Sequence, residues 1–341
     1  MKNKSFITPI IFVTGIAMAS SALGTYYWKH ENRRPLLEVY VFSPKSGRSI
    51  FIRTPEDNRI LIDGGSNSEI IRYISEILPF YSRRIDMVVA TNNAGKNVGG
   101  LIDVIQRYEV GDIYLPKYTL DSLGLTSSTD QIYETLVQTA KELNIHIEEV
   151  DLGRTLNLDS KTKLEVLFPA DPANFSYSKA SSPEILFNIS YGITNVLFAG
   201  GASPKVQKFI ANSTLASVTT TTITATITSS TSQASDVLIV SHSALPNYVS
   251  SEFIDTFHPS YLVYSKKIAK DEVIPDAEAI SEPGFETANQ TTNQIINQKV
   301  VKTKKKKDPL LYLSPENRFN IKESGVVKIE SDGKVVNIIR N

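Results

Sequence analysis

The residues best placed to do chemistry lie in "MVVATNNAGKNVGGLIDVI", Met87 to Ile105. The stretch reads as a buried strand, a polar turn and the start of a helix, a junction where functional side chains are often displayed. Its turn offers the amides of Asn92 and Asn97 and the ammonium of Lys96. Amides and an ammonium can hold an anion. They suit a metal poorly, since Asn is a weak ligand for zinc and Lys repels a cation. Elsewhere the inventory is thin. The chain has no cysteine and only four histidines, His30, His146, His242 and His258. Disulfides and thiolate metal sites are therefore excluded, and a multi-histidine zinc site would need most of the four. No glycine-rich phosphate loop followed by Lys-Ser/Thr occurs, and no Gly-x-Ser-x-Gly nucleophile elbow. His242 closes the strand "ASDVLIVSH"; a lone histidine at a strand end reads as structural rather than as a base. Asp63 reads as a hydrogen-bonding brace for the neighbouring turn rather than as an acid.

Positioning these residues falls to a chain of 341 residues, 41% hydrophobic and 21% charged, long enough to bury a sizeable core. Lys+Arg and Asp+Glu are 36 each, so net charge gives no pull toward nucleic acid. After Pro35, short strands such as "LEVYVF", "SIFIRT" and "RILID" are separated by the turn signals "SPKSGR" and "PEDN". "SEIIRYISEILPF", "GGLIDVIQRY" and Asp130 to Leu143 show helical spacing. "ILFNISYGITNVLFAG" reads as a hairpin turning at Tyr191-Gly192-Ile193-Thr194, and "GVVKIESDGKVVNIIR" as another around Ser331-Asp332-Gly333. Two sets of strands with helices between them predict two sheets with helices outside. Residues 213–235 are Thr/Ser-rich and read as a loop or an exposed hairpin. Residues 269–309 are polar and read as disordered; they end in Lys304 to Lys307, a solvated charge run rather than a nucleic-acid patch.

The N-terminal region has a different character. From Ser5 to Trp28 there is no charge. As a helix this run would reach roughly 36 Å at about 1.5 Å per residue, against a hydrocarbon core of about 30 Å. Tyr26, Tyr27 and Trp28 would form an interfacial belt, with Lys29, Arg33 and Arg34 in water beyond. The expectation is a short tail at 1–4, an uncleaved single-pass anchor at 5–28 and an extracytoplasmic body at 36–341. The competing reading is a cleaved signal peptide, with Ile7 to Ile16 as its apolar region and Ala17-Met18-Ala19 as its cleavage site.

In order and spacing, "SIFIRTPEDNRILIDGG", a helix ending "ILPF" and "RRIDMVVATNNAGKNVGGLIDVIQRYEVGDIYLP" resemble the metallo-β-lactamase-fold hydrolases. Within them the likeness is to the hydrolase domain of the DNA-uptake competence (ComEC-like) proteins. It resumes at "LFNISYGITNVLFAGGA" and "ASDVLIVSHSALPNYVSSEFIDTFHPSYLVYS", and covers about Leu36 to Ser265 plus the C-terminal hairpin. The resemblance implies a four-layer αββα sandwich holding two zinc ions. The family's Asp-Gly-Gly is Asp63-Gly64-Gly65 here, and its hydrophobe-Gly-Gly is Val98-Gly99-Gly100. The intervening His-x-His-x-Asp-His reads Asn92, Ala94, Lys96 and Asn97; the metal-bridging aspartate reads Gly201. The late Pro-His-His-Gly reads Ser241-His242-Ser243-Ala244, and the early acidic loop reads Ser43-Pro44-Lys45-Ser46-Gly47-Arg48.

Ala94 and Gly201 have no donor, and without metal there is no Lewis acid and no water with its pKa lowered to about 7. The residues therefore predict a membrane-anchored pseudo-hydrolase without metal or cofactor, acting through a protein partner or an anionic ligand. Arg48 and Lys96, standing where acids would, are the candidate anion-binding residues. A divergent hydrolase of phosphodiester or other anionic substrates, and a surface protein using its Thr-rich loop, are the alternatives.

Overall fold

The computed structural model describes residues 35–125, 130–179, 181–221, 235–240, 249–265 and 313–340, with residues 15, 17, 18, 20, 21 and 24. Strand β1 (Leu37–Phe42) shows how the body is layered, because all six of its residues are buried. Side chains alternate across a strand. Leu37, Val39 and Val41 join one core, while Tyr40 and Phe42 join another on the opposite face. A strand buried on both faces must lie between two layers.

The chain continues as β2 (Ser49–Arg53), β3 (Arg59–Ile62), α1 (Glu69–Ile77), β4 (Arg84–Val89), α2 (Gly95–Arg107), β5 (Glu109–Pro116), α3 (Gln131–Glu142) and β6 (His146–Val150). Next come β7 (Thr155–Asn157), β8 (Thr162–Phe168), β9 (Leu186–Tyr191), β10 (Thr194–Gly200), α4 (Pro204–Thr221), β11 (Val237–Val240), α5 (Ser251–Phe257) and β12 (Tyr261–Tyr264). The body closes with β13 (Arg318–Asn320), α6 (Ile321–Ser324), β14 (Val326–Ser331) and β15 (Val336–Arg340).

These strands form an 8-stranded sheet in the order β15-β14-β1-β2-β3-β4-β5-β6 and a 7-stranded sheet in the order β13-β12-β11-β10-β9-β8-β7. Both are mixed. In the first, β1 to β3 pair antiparallel and β3 to β6 parallel. In the second, β10 to β13 run parallel and β8 to β10 antiparallel. Parallel neighbours need crossovers, and α1, α2 and α3 supply them on the outer face of the first sheet.

Three cores separate the layers. Val39, Ile52, Ile62, Val89, Phe187 and Phe198 fill the space between the sheets. Tyr73, Ile74, Leu101, Val104 and Leu136 seal α1, α2 and α3 onto the first sheet. Val206, Ile210, Phe253 and Phe257 seal α4 and α5 onto the second. Burying each such large apolar side chain contributes about 1.5–3 kcal/mol. The body is an α/β sandwich with two mixed sheets and helices outside, consistent with a metallo-β-lactamase-like fold.

One part of the expected architecture is corrected. Among the described residues no helix is long and apolar enough to cross a membrane. The anchor expected over 5–28 is withdrawn accordingly, and with it the membrane as partner and the single-pass, extracytoplasmic placement. The described positions here, 15, 17, 18, 20, 21 and 24, are too few to make the helix of about 20 residues that a span needs. The other residues of 5–28 lie outside the described set. A second difference concerns the Thr/Ser-rich segment. Helix α4 runs on to Thr221, through positions where a loop or hairpin was expected. Its first turns are held by Val206 and Ile210 in the core, and the helix continues past that purchase. Residues 222–234 and 269–309 lie outside the described residues.

Candidate functional site

The ends of β3 and β4, the β1–β2 loop and the start of α2 converge beside the end of β10. Asp63 follows β3 directly, fully buried, with a left-handed backbone at φ 55. A non-glycine residue there is uncommon and persists only where its surroundings over-determine it. They do so here. Asp63 Oδ1 accepts from the Thr91 N–H at 2.8 Å, and Oδ2 accepts from Thr91 Oγ1 at 2.7 Å and from Arg48 Nε at 2.7 Å. Ser49 Oγ donates to the Asp63 carbonyl at 2.8 Å. Asp63 thus ties β2, β3 and β4 together at one end of the sheet.

The glycines nearby serve close approach. Gly64 N–H donates to the Asn97 carbonyl at 2.7 Å, and Gly100 N–H to the Gly65 carbonyl at 3.0 Å. A Cβ on Gly100 would run into the Gly64 carbonyl, so the first turn of α2 can lie on the Asp63-Gly64-Gly65 turn only without a side chain there. This also moves the helix start. The apolar spacing placed it at Gly99, yet α2 begins at Gly95, and Lys96 and Asn97 are helical. The extra turn is supported by Asp130, whose Oδ2 accepts the Gly95 N–H at 2.7 Å while its Oδ1 accepts the Ile132 N–H at 3.0 Å. One carboxylate therefore caps two helices.

The floor of the site is an ion triad. Arg48, at the end of the early loop, gives Nε to Asp63 and Nη2 to Glu184 Oε1 at 2.6 Å. Nη2 also donates to Thr91 Oγ1, and the guanidinium stacks over the Phe198 ring, 5.2 Å from its centroid. Glu184 was not singled out from the sequence. It is delivered by its neighbour Ile185, whose N–H donates to the Thr91 carbonyl at 2.6 Å. Its Oε1 also accepts the Gly201 N–H at 3.2 Å. No motif marked it; the only sequence signal is a carboxylate immediately before a buried strand. Burial presses the Arg48 pKa down, but Glu184 and Asp63 more than offset this and raise it. Burial also raises the Glu184 pKa, against the pull of Arg48 and of the Gly201 N–H.

Above this floor is a cavity of about 520 Å³ lined by Arg48, Asn92, Ala94, Lys96, Asn97, Glu184 and Gly201, with Lys45 and Lys322 among its other residues. The structure therefore gathers the degenerate motif positions at one place, apart from His242, which lies outside the described residues. Asn92 Oδ1 accepts from the Ala94 N–H at 3.1 Å and from Asn97 Nδ2 at 3.0 Å. Arg48 does not play the part expected of it. Bound by two carboxylates, its guanidinium is an internal counter-charge and not a hand extended to an anion. The expected anion pair of Arg48 and Lys96 is thereby reduced to Lys96, which is exposed at the mouth.

The donor chemistry does not fit the two zinc ions that the resemblance implies. Among the described residues no group of three or more His, Asp, Glu or Cys could hold a metal ion. Asp63 and Glu184, the two carboxylates at hand, already bind a guanidinium. Zinc would have to displace it and, among the described residues, find further ligands from Asn, Ala, Lys and Gly.

No protein-family model matches the chain, and no curated protein matches it. Several solved structures are similar in fold. A mutant of the CmlA beta-hydroxylase is 16% identical, with 66% of this chain covered, 45% of that one and a TM-score of 0.43. This chain thus spans less than half the length of that enzyme. Zn(2+)-bound PqqB from Methylobacterium extorquens is 13% identical over 64% of each chain, at a TM-score of 0.38. The Rm3 metallo-beta-lactamase is 16% identical, covering 59% of this chain and 74% of its own, at 0.34. Such likeness concerns fold, assigns no activity to this chain and does not single out the competence-protein subgroup.

Proposed function

We propose that this chain is a metal-free binding domain on a metallo-β-lactamase-like scaffold, in which Arg48 supplies the positive charge that zinc supplies in the family. The observation that carries the reading is the guanidinium clamped between Asp63 and Glu184 on the pocket floor. A hydrolase of this kind needs a Lewis acid and an activated water at that point. An arginine offers neither, since its side chain stays protonated and takes no lone pair. It does preserve the electrostatics, holding two carboxylates that would otherwise repel each other. The pocket is then open for binding without turnover. The narrower kinship with competence-protein hydrolase domains rests on the order and spacing of the motifs around Asp63, Gly99 and Gly201.

The test is turnover. The full chain, with and without added zinc or manganese, is offered chromogenic phosphodiester, phosphomonoester and β-lactam substrates. The expected result is no hydrolysis above the buffer with metal alone. Hydrolysis that disappears in Asp63→Asn would overturn the proposal.

A further inference from the structure

With Arg48 engaged below, the other cations facing the cavity among the described residues are lysines from three separate elements. Lys45 lies on the β1–β2 loop, Lys96 in the first turn of α2 and Lys322 in α6. They are far apart in sequence and meet only through the fold. Lys322 Nζ donates to the Pro44 carbonyl at 2.8 Å, which holds that ammonium beside the Lys45 loop. Among the described residues the one carboxylate on the lining is Glu184, and Arg48 is bound to it. Behind the loop, Glu69 accepts the Lys45 main-chain N–H at 3.1 Å and lies 3.8 Å from Arg72. An oriented amide adds to the charges. Asn92 receives two hydrogen bonds on Oδ1, so its Nδ2 hydrogens remain to donate.

We propose that this pocket binds the phosphate group of a small soluble phosphate ester, with Lys45, Lys96 and Lys322 as its counter-charges and the Asn92 amide as a directing donor. The inference rests on the binding reading above and names the ligand class for it. Three point charges around one cavity match a phosphate, which carries about −1.5 to −2 at neutral pH. A carboxylate would leave most of that charge uncompensated. The volume lies in the ordinary range for ligand pockets, roughly 300–1,000 Å³.

Calorimetric titration of the full chain with inorganic diphosphate and with glycerol phosphate tests this. The wild type is expected to bind saturably, and added salt to weaken binding. Lys45→Ala, Lys96→Ala and Lys322→Ala should each lower affinity about tenfold, and Lys96→Glu should abolish it. Lys141→Ala, at the far end of α3, should change nothing. No saturable binding to the wild type, binding indifferent to the three substitutions, or an equal loss in Lys141→Ala would each overturn the assignment. Phosphate release in the same mixtures separates the two readings. Release with binding intact would overturn the non-hydrolytic proposal and leave the phosphate site standing. Neither release nor binding would overturn the phosphate site and leave the non-hydrolytic proposal standing.

Discussion

Arg48 is where the chain departs most from the pattern its motifs resemble, and replacing it has a calculable consequence. Arg48→Met leaves Asp63 and Glu184 buried without their cation. Breaking a buried pair from one side costs about 3–5 kcal/mol, because the stranded charge has lost water and partner together. The loss should depend on pH with a definite sign. The Glu184 pKa already lies above the ordinary 4.5 in the folded chain. A carboxyl raised on folding favours the folded state most at low pH and loses that contribution as pH rises through its folded value. Without Arg48 that value rises further. Urea denaturation should therefore show a large deficit in Arg48→Met at neutral pH that shrinks toward pH 5, and a deficit independent of pH would contradict the triad. The sequence made Arg48 visible as a cation in a loop that usually carries acids. It gave no hint of Glu184, because the pairing depends on one main-chain hydrogen bond between segments about ninety residues apart.

Helix α2 carries Lys96 and Asn97 on its first turn, and two contacts decide where that turn begins. Asp130→Ala removes the cap from α2 and α3 together. An N-cap is worth about 0.5–2 kcal/mol, so a doubly used one should fall near the upper end. Thermal unfolding should show Asp130→Ala lowered by several degrees, at about 2–4 °C per kcal/mol for a domain of this size. Gly100→Ala should cost at least about 2 kcal/mol, since the obstacle is the Gly64 carbonyl and backbone cannot step aside. Equal stability of Gly100→Ala and wild type would contradict the close crossing. The glycine pair at Gly99-Gly100 was legible as backbone shape. The earlier start of α2 was not, because the cap comes from Asp130, a residue that its local sequence assigns to another helix.

At the scale of the molecule, the two sheets were readable from strands such as β1, whose apolar residues serve both faces, and from the hairpin turns after Tyr191 and Ser331. What could not be read was contact between distant strands. Thr194 Oγ1 meets Ser331 Oγ at 2.6 Å, joining a hairpin of one sheet to a hairpin of the other. The N-terminal anchor was expected from an uncharged run whose length suits a bilayer, and among the described residues no helix of that kind occurs. Phe198 links the inter-sheet core to the site, stacking on Phe187 at 4.8 Å and lying under Arg48. Phe198→Ala should cost about 3–5 kcal/mol, and denaturant unfolding at wild-type stability would contradict that role. In the function proposed above, the Arg48 guanidinium between Asp63 and Glu184 supplies the charge that zinc supplies in the family. Metal content measures this most directly. The full chain is purified after expression with added zinc and assayed for metals beside Glu184→Gln and Asp63→Asn. The account predicts no stoichiometric zinc, manganese or iron in the wild type; one or more equivalents per chain, lost in either variant, would contradict it.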